Sequence, residues 1–571
     1  MKKDLSMEAR LLIAFLLMGV VLMVSQYFTK PAPAPGKQGA EKASQAAQPA
    51  AQPTPAAQPT PAPESKAPIP SPKAAAAAAE AVQAPEERTY EVDTDLFHVV
   101  FSNRGATIRS WILKDFKDHD GKPLELVYKP ALAKVPPPFS LVFKGTAPST
   151  DPNNALFKET SSDGGLTLDF EYSDGHALTK KTFHFEQKSY LMQVTTEVTQ
   201  NGVMLPHSIT WRGGFGDAAA LVSRGGASAQ HAIYYEIPNS KLQVKTAKDA
   251  KNGPVSATGQ YSFVGIEDSY FAAAFLPVNK SSVEETTFAD NVPDAKGADE
   301  QRVGVGVGGE GLNTVSLFVG PKDTDLLRKV DPKLEQVVDW GWFWFLAQPL
   351  FVVLNWTTDH LVHNYGWSIV LVTIVINLIL FPLRLTSMKA SRKMQTLQPQ
   401  INAINEKYKS LPIRDPKQSD KNAEIMDLYK KNDVNPVGGC LPMLLQLPFL
   451  YAFYKVLAVS IEMRGAHWLW VTDLSQPETL AIHMLPVLLI VTQFLTQKMT
   501  PSPGMDPSQQ KMMMIMPLIF GYMFYFASAG LVLYWLTSNV VAVVQQWGLN
   551  RISPPPAPAP VKAVSNKKGR S

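Results

Sequence analysis

The chain has 571 residues, a formal net charge of +4 and a mean hydropathy near zero. The length exceeds one ordinary domain, and the hydropathy is an average over a polar part and an apolar part. The small net charge gives no support to nucleic acid binding, specific DNA binding included. The single Cys440 excludes an internal disulfide.

The first predicted element is a transmembrane helix within residues 1–29. Its apolar run, Leu11 to Tyr27, follows three basic residues. A secretory signal usually has an apolar core of about 7 to 15 residues before a small-residue cleavage site. This run is longer and ends in polar residues, which favours an uncleaved signal anchor, with cleavage at 32–34 as the alternative. Residues 30–88, dominated by Pro, Ala and Gln, are predicted to form a disordered linker.

Residues 89–330 are predicted to form an all-β sandwich. Apolar and polar residues alternate along 166–172 and 192–198, as in strands with one buried face. Asp-Gly and Asn-Gly pairs, which favour hairpin turns, punctuate the segment at 163–164, 174–175, 201–202 and 252–253. The pattern predicts a large antiparallel domain.

The β segment offers weak signals for an enzyme. The glycine run 304–309 formally fits a dinucleotide fingerprint, but no predicted helix follows it, so an edge strand or a bulge is the favoured interpretation. His184, His207 and His231 form no ligand cluster in the sequence. A membrane-anchored carbohydrate-binding protein or enzyme stays open as an alternative.

Five apolar runs in the second half of the chain are candidate membrane spans, since about 20 apolar residues cross a bilayer as a helix. They lie at about 366–383, 437–460, 480–497, 512–528 and 530–548. The run 437–460 carries one charge, Lys455. With the N-terminal helix, the sequence predicts six spans.

The basic segment 384–436 fixes the predicted orientation. It holds eleven Lys or Arg against six Asp or Glu, so the positive-inside rule places it in the cytoplasm. A further span at 341–358 would put these charges outside. We therefore expect 331–362 to contain an amphipathic helix on the outer interface, where its tryptophans suit headgroup depth. Both termini, including the basic tail 551–571, are then cytoplasmic.

The predicted spans contain neutral polar residues. These residues are Thr373, Asn377, Gln446, Gln493, Thr537, Ser538 and Asn539. Such residues either join helix to helix by hydrogen bonds or line a wet concavity, and composition alone does not decide between the two. A solute transporter, the third class considered, usually shows internal repeats and ionisable residues near the midplane, and the sequence shows neither.

The cytoplasmic segment 384–436 is predicted to be a helical hairpin. Residues 385–409 and 418–431 are rich in helix formers, and the two prolines within 411–416 separate them. Its basic excess is required by the topology, so RNA binding is only an added possibility.

Three motifs carry a family resemblance. They are VNPVGGCLP at 434–442 leading into QLP at 446–448, DPSQQK at 506–511, and SAGLVLY at 528–534. In this order they resemble the YidC membrane protein insertases, in the Gram-negative form with a large periplasmic domain. The likeness covers the membrane segment closely and the remaining layout as a whole.

The resemblance implies a non-enzymatic insertase of the bacterial inner membrane, without a cofactor or metal. Such a protein takes nascent membrane proteins into a hydrophilic groove formed by the last five helices and releases them to lipid, alone or beside the Sec translocon. The ribosome and the lipid bilayer are the other implied partners. The periplasmic domain is expected to be a supersandwich without known catalysis.

The resemblance, together with the polar residues of the spans, leads us to expect a set of groove residues. It comprises Thr373, Asn377, Arg384, Gln446, Tyr534, Trp535 and Ser538. Relatives commonly have an arginine at the position of Asn377. Arg384 follows seven residues later on nearly the same helical face, and we expect it to supply charge at the groove entrance, with a cytoplasmic anchor as the alternative.

Overall fold

A computed structural model describes residues 80–118, 121–217, 230–278, 281–294, 297–408, 418–432, 434, 441–499 and 507–552. The predicted N-terminal helix, most of the linker and the tail beyond residue 552 lie outside these residues. The predicted anchor, its cleavage alternative and the linker therefore stay predictions.

Strands fill the part of the chain that was predicted to be a β sandwich. They are β1 Thr89–Asp93, β2 Phe97–Ser102, β3 Thr107–Lys117, β4 Pro123–Glu125, β5 Leu141–Phe143, β6 Lys158–Ser162, β7 Thr167–Ser173, β8 Ala177–His184, β9 Leu191–Gln200, β10 Val203–Met204, β11 His207–Trp211, β12 His231–Glu236, β13 Lys241–Lys245, β14 Val255–Glu267, β15 Phe271–Pro277, β16 Ser282–Pro293, β17 Asp299–Glu310 and β18 Leu312–Pro321. All pairings between them are antiparallel in the described residues.

One long strand connects the two parts of the main sheet. The first half of β14, Val255–Gln260, pairs with β16, whereas its second half pairs with β15. The main path runs β5-β11-β17-β16-β14-β15-β18-β9-β8-β7-β6, and β1 to β4 form a separate four-stranded sheet in the described part of the chain. Because β14 changes partners along its length, it carries the chain from one layer to the other.

The sequence pattern of the strands is confirmed. Met192, Val194, Thr196 and Val198 on β9 are all buried, as their alternation with polar residues predicts. Asn201 and Gly202 both have positive φ, the backbone that a tight turn between β9 and β10 requires.

The glycine run 304–309 was predicted to lie in an edge strand or at a bulge; the edge position is wrong and the bulge is correct. Its strand, β17, is not at an edge but lies between β11 and β16. The bulge is confirmed, because His207 pairs with Glu310 while Ser208 pairs with Gly308, leaving Gly309 as an extra residue. A Cβ at Gly308 would lie 2.4 Å from the His207 carbonyl oxygen, so close backbone approach explains a glycine there.

Helices follow the strands. They are α1 Thr324–Val330, α2 Trp344–Thr357, α3 Tyr365–Ile379, α4 Phe381–Thr396, α5 Gln398–Lys407, α6 Gln418–Lys431, α7 Leu441–Val459, α8 Met484–Met499, α9 Pro507–Tyr525 and α10 Ala529–Ile552. Within the described residues no single helix is long and apolar enough to pass a length and hydropathy test for a membrane span. One pair, Trp344–Val362 with Tyr365–Ile379, passes together, and it is bent by 115°.

The segment 384–436 differs from the predicted hairpin in one detail. The first predicted helix, 385–409, is two helices, because α4 ends at Thr396 and α5 begins at Gln398 with Pro399 in its first turn. Leu397, Ile401 and Tyr429 pack together between α5 and α6. Lys407 pairs with Glu424 across them at 2.9 Å.

An apolar cluster joins the β domain (residues 89–321) to the helical domain (residues 344–552). It includes Phe318 of β18, Leu334 and Trp340 of the connecting segment, and Leu354 and Val456 of the helices. The two domains therefore share buried surface.

A buried ion pair also joins them. Arg464, in the loop between α7 and α8, donates to Asp217 Oδ2 at 2.5 Å and to the Lys117 carbonyl oxygen at 2.7 Å. The side chains of Arg464 and Asp217 are 8% and 3% exposed. The Asp217 N–H donates to Asp268 Oδ2, so the pair is held from the strand side as well.

We expect Arg464→Met to lower the free energy of unfolding by about 3–5 kcal/mol, because it leaves Asp217 buried without its cation. Thermal unfolding of the detergent-solubilised protein, followed by tryptophan fluorescence, measures the change. Arg328→Met is the matched control, since Arg328 pairs with Glu335 at an exposed position. Equal midpoints for the two variants would contradict the prediction.

Candidate functional site

The last helix, α10, carries polar side chains on two faces. Its first half is almost wholly buried, and its first amides donate to the chain between α7 and α8: Ala529 N to the Gln476 oxygen and Gly530 N to the Leu474 oxygen. Those bonds satisfy backbone groups that a helix start leaves open. Ser538 and Gln545 are two turns apart and share one face, since seven residues make nearly two turns.

On the first face a chain of hydrogen bonds joins four helices. Gln446 Nε2 of α7 donates to Ser538 Oγ at 2.9 Å, and Ser538 Oγ donates to Asn377 Oδ1 of α3 at 3.4 Å. Gln545 Nε2 donates to the Asn377 carbonyl oxygen at 3.3 Å. Arg384 Nη1 of α4 donates to Gln545 Oε1 at 3.3 Å. We call these five residues the polar network.

The helix break at Leu380 puts Arg384 into the network. Asn377 lies near the end of α3, and the proline at the second position of α4 restarts the helix directly afterwards. Arg384 N still donates to the Leu380 carbonyl oxygen, so the two helices stay continuous enough to keep Asn377 and Arg384 on the same side. Arg384 is half-buried and contacts α10.

The side chains of two predicted groove residues, Thr373 and Trp535, lie outside the polar network. Thr373 is fully buried, and its Oγ1 donates to the Ile369 carbonyl oxygen of its own helix at 2.6 Å. Tyr534 is 3% exposed and stacks on Phe453 with ring centroids 4.0 Å apart. Thr373 therefore contributes packing, whereas the Tyr534 side chain also hydrogen-bonds Gln446 of the polar network.

Trp535 lies on another side of α10. Its ring contacts Phe524 of α9 edge to face at 4.6 Å, and Phe520 at 5.5 Å. The adjacent residues Tyr534 and Trp535 therefore contact different helices, and the pair does not form one aromatic surface.

Sequence reasoning missed Gln545. The signal was present, since Gln545 lies seven residues after Ser538 in the same predicted span, 530–548. The second polar face of α10 includes Asn539, whose Nδ2 donates to Gln493 Oε1 of α8 at 2.7 Å. This bond joins helix to helix, which is one of the two roles expected for such residues.

The single charge of the predicted span 437–460 has a partner outside that span. Lys455 Nζ donates to Asp339 Oδ2 at 2.8 Å, and Lys455 itself is buried. Burial alone would raise the pKa of Asp339, but the Lys455 ammonium and the Gly341 N–H hold that pKa below its ordinary value. Lys455 thus connects α7 to the segment before α2.

No metal centre was found in the part of the chain that the structure describes, where no group of three or more His, Cys, Asp and Glu could hold an ion. His207 instead hydrogen-bonds Thr196 at 2.8 Å inside the β domain. Burial lowers its pKa to about 4, so it is neutral at pH 7.

Comparison with known proteins identifies the class. The family model described as 60Kd inner membrane protein matches residues 356–555, and the model described as YidC periplasmic domain matches residues 89–353. The two matches meet within α2, near the start of the helical domain. They define an inner membrane protein that carries a periplasmic β-sandwich domain.

Curated relatives identify the family. A membrane protein insertase YidC of Ralstonia nicotianae is 34% identical over 511 residues, which are 86% of this chain and 88% of the relative. Another, of Geotalea daltonii, is 33% identical over an alignment of 572 positions that covers 96% of this chain and all of the relative. The chain belongs to the YidC membrane protein insertase family, as its motifs predicted.

Solved structures give weaker likenesses. An active YidC insertase crystal structure with the first transmembrane domain resolved aligns over 82% of this chain and 94% of its own, at 20% identity and a TM-score of 0.36. A galactose mutarotase-like protein from Lactobacillus casei aligns over 41% of this chain and all of its own, at 10% identity and a TM-score of 0.27. At these scores neither adds to the assignment.

The loop between α7 and α8 contains a buried carboxyl group with one unpaired oxygen. Glu462 lies in the turn Ile461–Met463, and its buried Oε2 has no hydrogen-bond partner within the described residues. Burial raises the pKa of Glu462 to about 7, and the carboxylates of Asp323, Asp325 and Asp359 act in the same direction.

We expect Glu462→Gln to stabilise the protein at pH 8. Because the folded pKa lies above the ordinary 4.5, the folded state binds more protons, and stability is lost as pH rises from about 4.5 to about 7. The variant removes that loss, so its midpoint should exceed wild type by about 2–4 °C at pH 8 and converge with it near pH 5. Thermal melts across this range measure the difference. Glu310→Gln, at an exposed glutamate, is the control, and a Glu462→Gln midpoint that follows wild type at every pH would contradict the prediction.

Proposed function

We propose that this chain is a membrane protein insertase that receives nascent inner membrane proteins at the polar network and releases their apolar helices into lipid. Membership of the family, whose curated relatives are named insertases, supports the activity. The observation that supports the polar network as the substrate site is its chain of hydrogen bonds. The chain runs from Gln446 through Ser538, Asn377 and Gln545 to Arg384.

The physical task is to move a polar segment through an apolar layer. A charge at the centre of a membrane helix costs about 2.5–3.5 kcal/mol even on the lenient insertion scale. Side chains that already exchange hydrogen bonds with one another can exchange them with a passing polar segment. The apolar helix of the substrate then leaves sideways, and its burial in lipid at about 25 cal/mol per Å² supplies the driving force.

Arg384 takes the role of the arginine that relatives commonly have at the position equivalent to Asn377. Its guanidinium reaches the network from α4 and donates to Gln545, whose amide binds the Asn377 backbone. An acidic group of the substrate would meet this cation at the groove entrance. Thr373 is assigned to packing that holds the network in place, and Tyr534 is assigned to holding Gln446 through its side-chain hydrogen bond.

The topology that fits this role has six spans, with both termini cytoplasmic and the β domain periplasmic. Helix α2 is assigned to the outer interface. Its bend of 115° against α3 and the exposed rings of Trp342, Trp344 and Trp356 support that place. The Sec translocon and the ribosome are proposed as partners, the ribosome through the basic hairpin and tail.

We expect Arg384→Ala to reduce insertion of a single-span test protein into liposomes by about tenfold, because a hydrogen bond from a charged group is lost. A protease-protection assay of the inserted test protein measures the yield. Lys389→Ala removes an exposed cation from the same helix and is the matched control. Wild-type yield from Arg384→Ala would leave Arg384 as a cytoplasmic anchor.

Photocrosslinking locates the substrate path. A crosslinking amino acid at position 377, 446 or 545 should capture a ribosome-stalled single-span membrane protein, whereas one at position 373 should not, because Thr373 is buried within its helix contacts. A stalled soluble protein is the control. Capture only at sites outside the network would refute the groove that we propose.

A further inference from the structure

The end of α10 contacts the beginning of the cytoplasmic hairpin through a second set of polar bonds. Arg392 Nη2 of α4 donates to Asn550 Oδ1 at 2.8 Å. Gln546 Nε2, one turn before Asn550, donates to the same oxygen at 3.1 Å. One carboxamide oxygen therefore receives a charged donor from α4 and a neutral donor from its own helix.

Arg392 is placed for this contact by helix geometry. It lies eight residues after Arg384, a little over two turns, so both arginines point from α4 toward α10. Ser387 and Met388, between them, are buried. In contrast, Lys389 and Lys393 on α4 are exposed. Two arginines of α4 thus hydrogen-bond to α10, while the neighbouring lysines are exposed.

The hairpin has little other apolar attachment in the described residues. Its own cluster, Leu397, Ile401, Tyr429 and Val434 with three partly buried neighbours, is separate from the large cluster that unites the helical and β domains. Helix α4 is the covalent link from the network to that cluster. Whatever fixes the direction of α4 therefore fixes where the hairpin lies.

We infer that Arg392, Asn550 and Gln546 form a latch that holds the hairpin over the cytoplasmic end of the groove. The three are positioning residues: they set the place at which the hairpin presents a nascent segment to the polar network. This inference rests on the proposed insertase function. Loss of the latch leaves the bond from Arg384 to Gln545 in place but lets the part of α4 beyond Arg384 change direction together with the hairpin.

The test measures hairpin position and insertion separately. Spin labels are attached at Met426 of α6 and Val544 of α10, which are both exposed, in a Cys440→Ser background. Pulsed electron paramagnetic resonance in nanodiscs then measures the distance between the two labels. Arg392→Gln should broaden the distance distribution and lower insertion about three- to tenfold, in line with a lost charged hydrogen bond. Lys393→Gln removes a charge from the next residue and should change neither.

Exchanging the charges at positions 392 and 550 distinguishes a positioning role from a general loss of structure. Arg392→Glu should broaden the distribution as Arg392→Gln does, and Arg392→Glu combined with Asn550→Lys should restore both the narrow distribution and the insertion yield. Asn550→Asp should keep both, because its carboxylate still accepts from Arg392. Asn550→Leu should behave like Arg392→Gln.

Several outcomes would overturn the latch. A narrow distribution in Arg392→Gln would do so, and so would a failure of the exchanged pair to restore the distance. If the wild-type protein inserts nothing under conditions where a known insertase does, the proposed function fails. The distance measurements still decide whether the latch exists, so the two failures are distinguishable.

Discussion

The helical domain depends on one constraint: every polar side chain on α10 must find a partner in surroundings that offer little water. A buried amide or hydroxyl without a partner costs free energy comparable to a lost hydrogen bond. Ser538, Asn539 and Gln545 meet this demand by bonding to α3, α7 and α8. The same bonds that place the helices also provide the polar surface on which insertion is proposed to occur.

This dual use explains why composition could not decide between structural and functional roles for the polar residues. Asn539 bonds only to Gln493 among the described hydrogen bonds, as expected of a helix-to-helix contact. Asn377 instead takes part through both its side chain and its carbonyl oxygen, and its chain of partners ends at a cation. The distinction depends on which helices are adjacent, and the sequence does not state that.

Much of the fold was predictable because local patterns governed it. Alternation marked the strands, Asn-Gly marked the turn after β9, and long apolar runs marked the helices. The errors arose where tertiary contacts decided. The glycines of β17 were assigned to an edge strand or a bulge; the bulge is present, but the strand is central and its glycines allow two neighbouring strands to approach it. Likewise, the motif containing Tyr534 was recognised from the sequence. The burial of Tyr534 against Phe453 could not be predicted, because it depends on where α7 lies.

The two domains are joined in a way that bears on how insertion would be powered. Arg464 and Asp217 are a buried pair, and such pairs give geometric specificity more reliably than net stability. Together with the shared apolar cluster, this contact holds the loop between α7 and α8 against the strands. At the other end, Arg384 and Arg392 attach α4 to α10 by hydrogen bonds, and the apolar cluster of the hairpin is separate from the one that the two domains share. On the proposed function, substrate binding supplies the work of insertion, and we therefore place movement at the end that shares no apolar cluster with the β domain. Burial fixes the end next to the periplasmic domain, and at the proposed cytoplasmic end an incoming polar segment would replace the hydrogen bonds of α4.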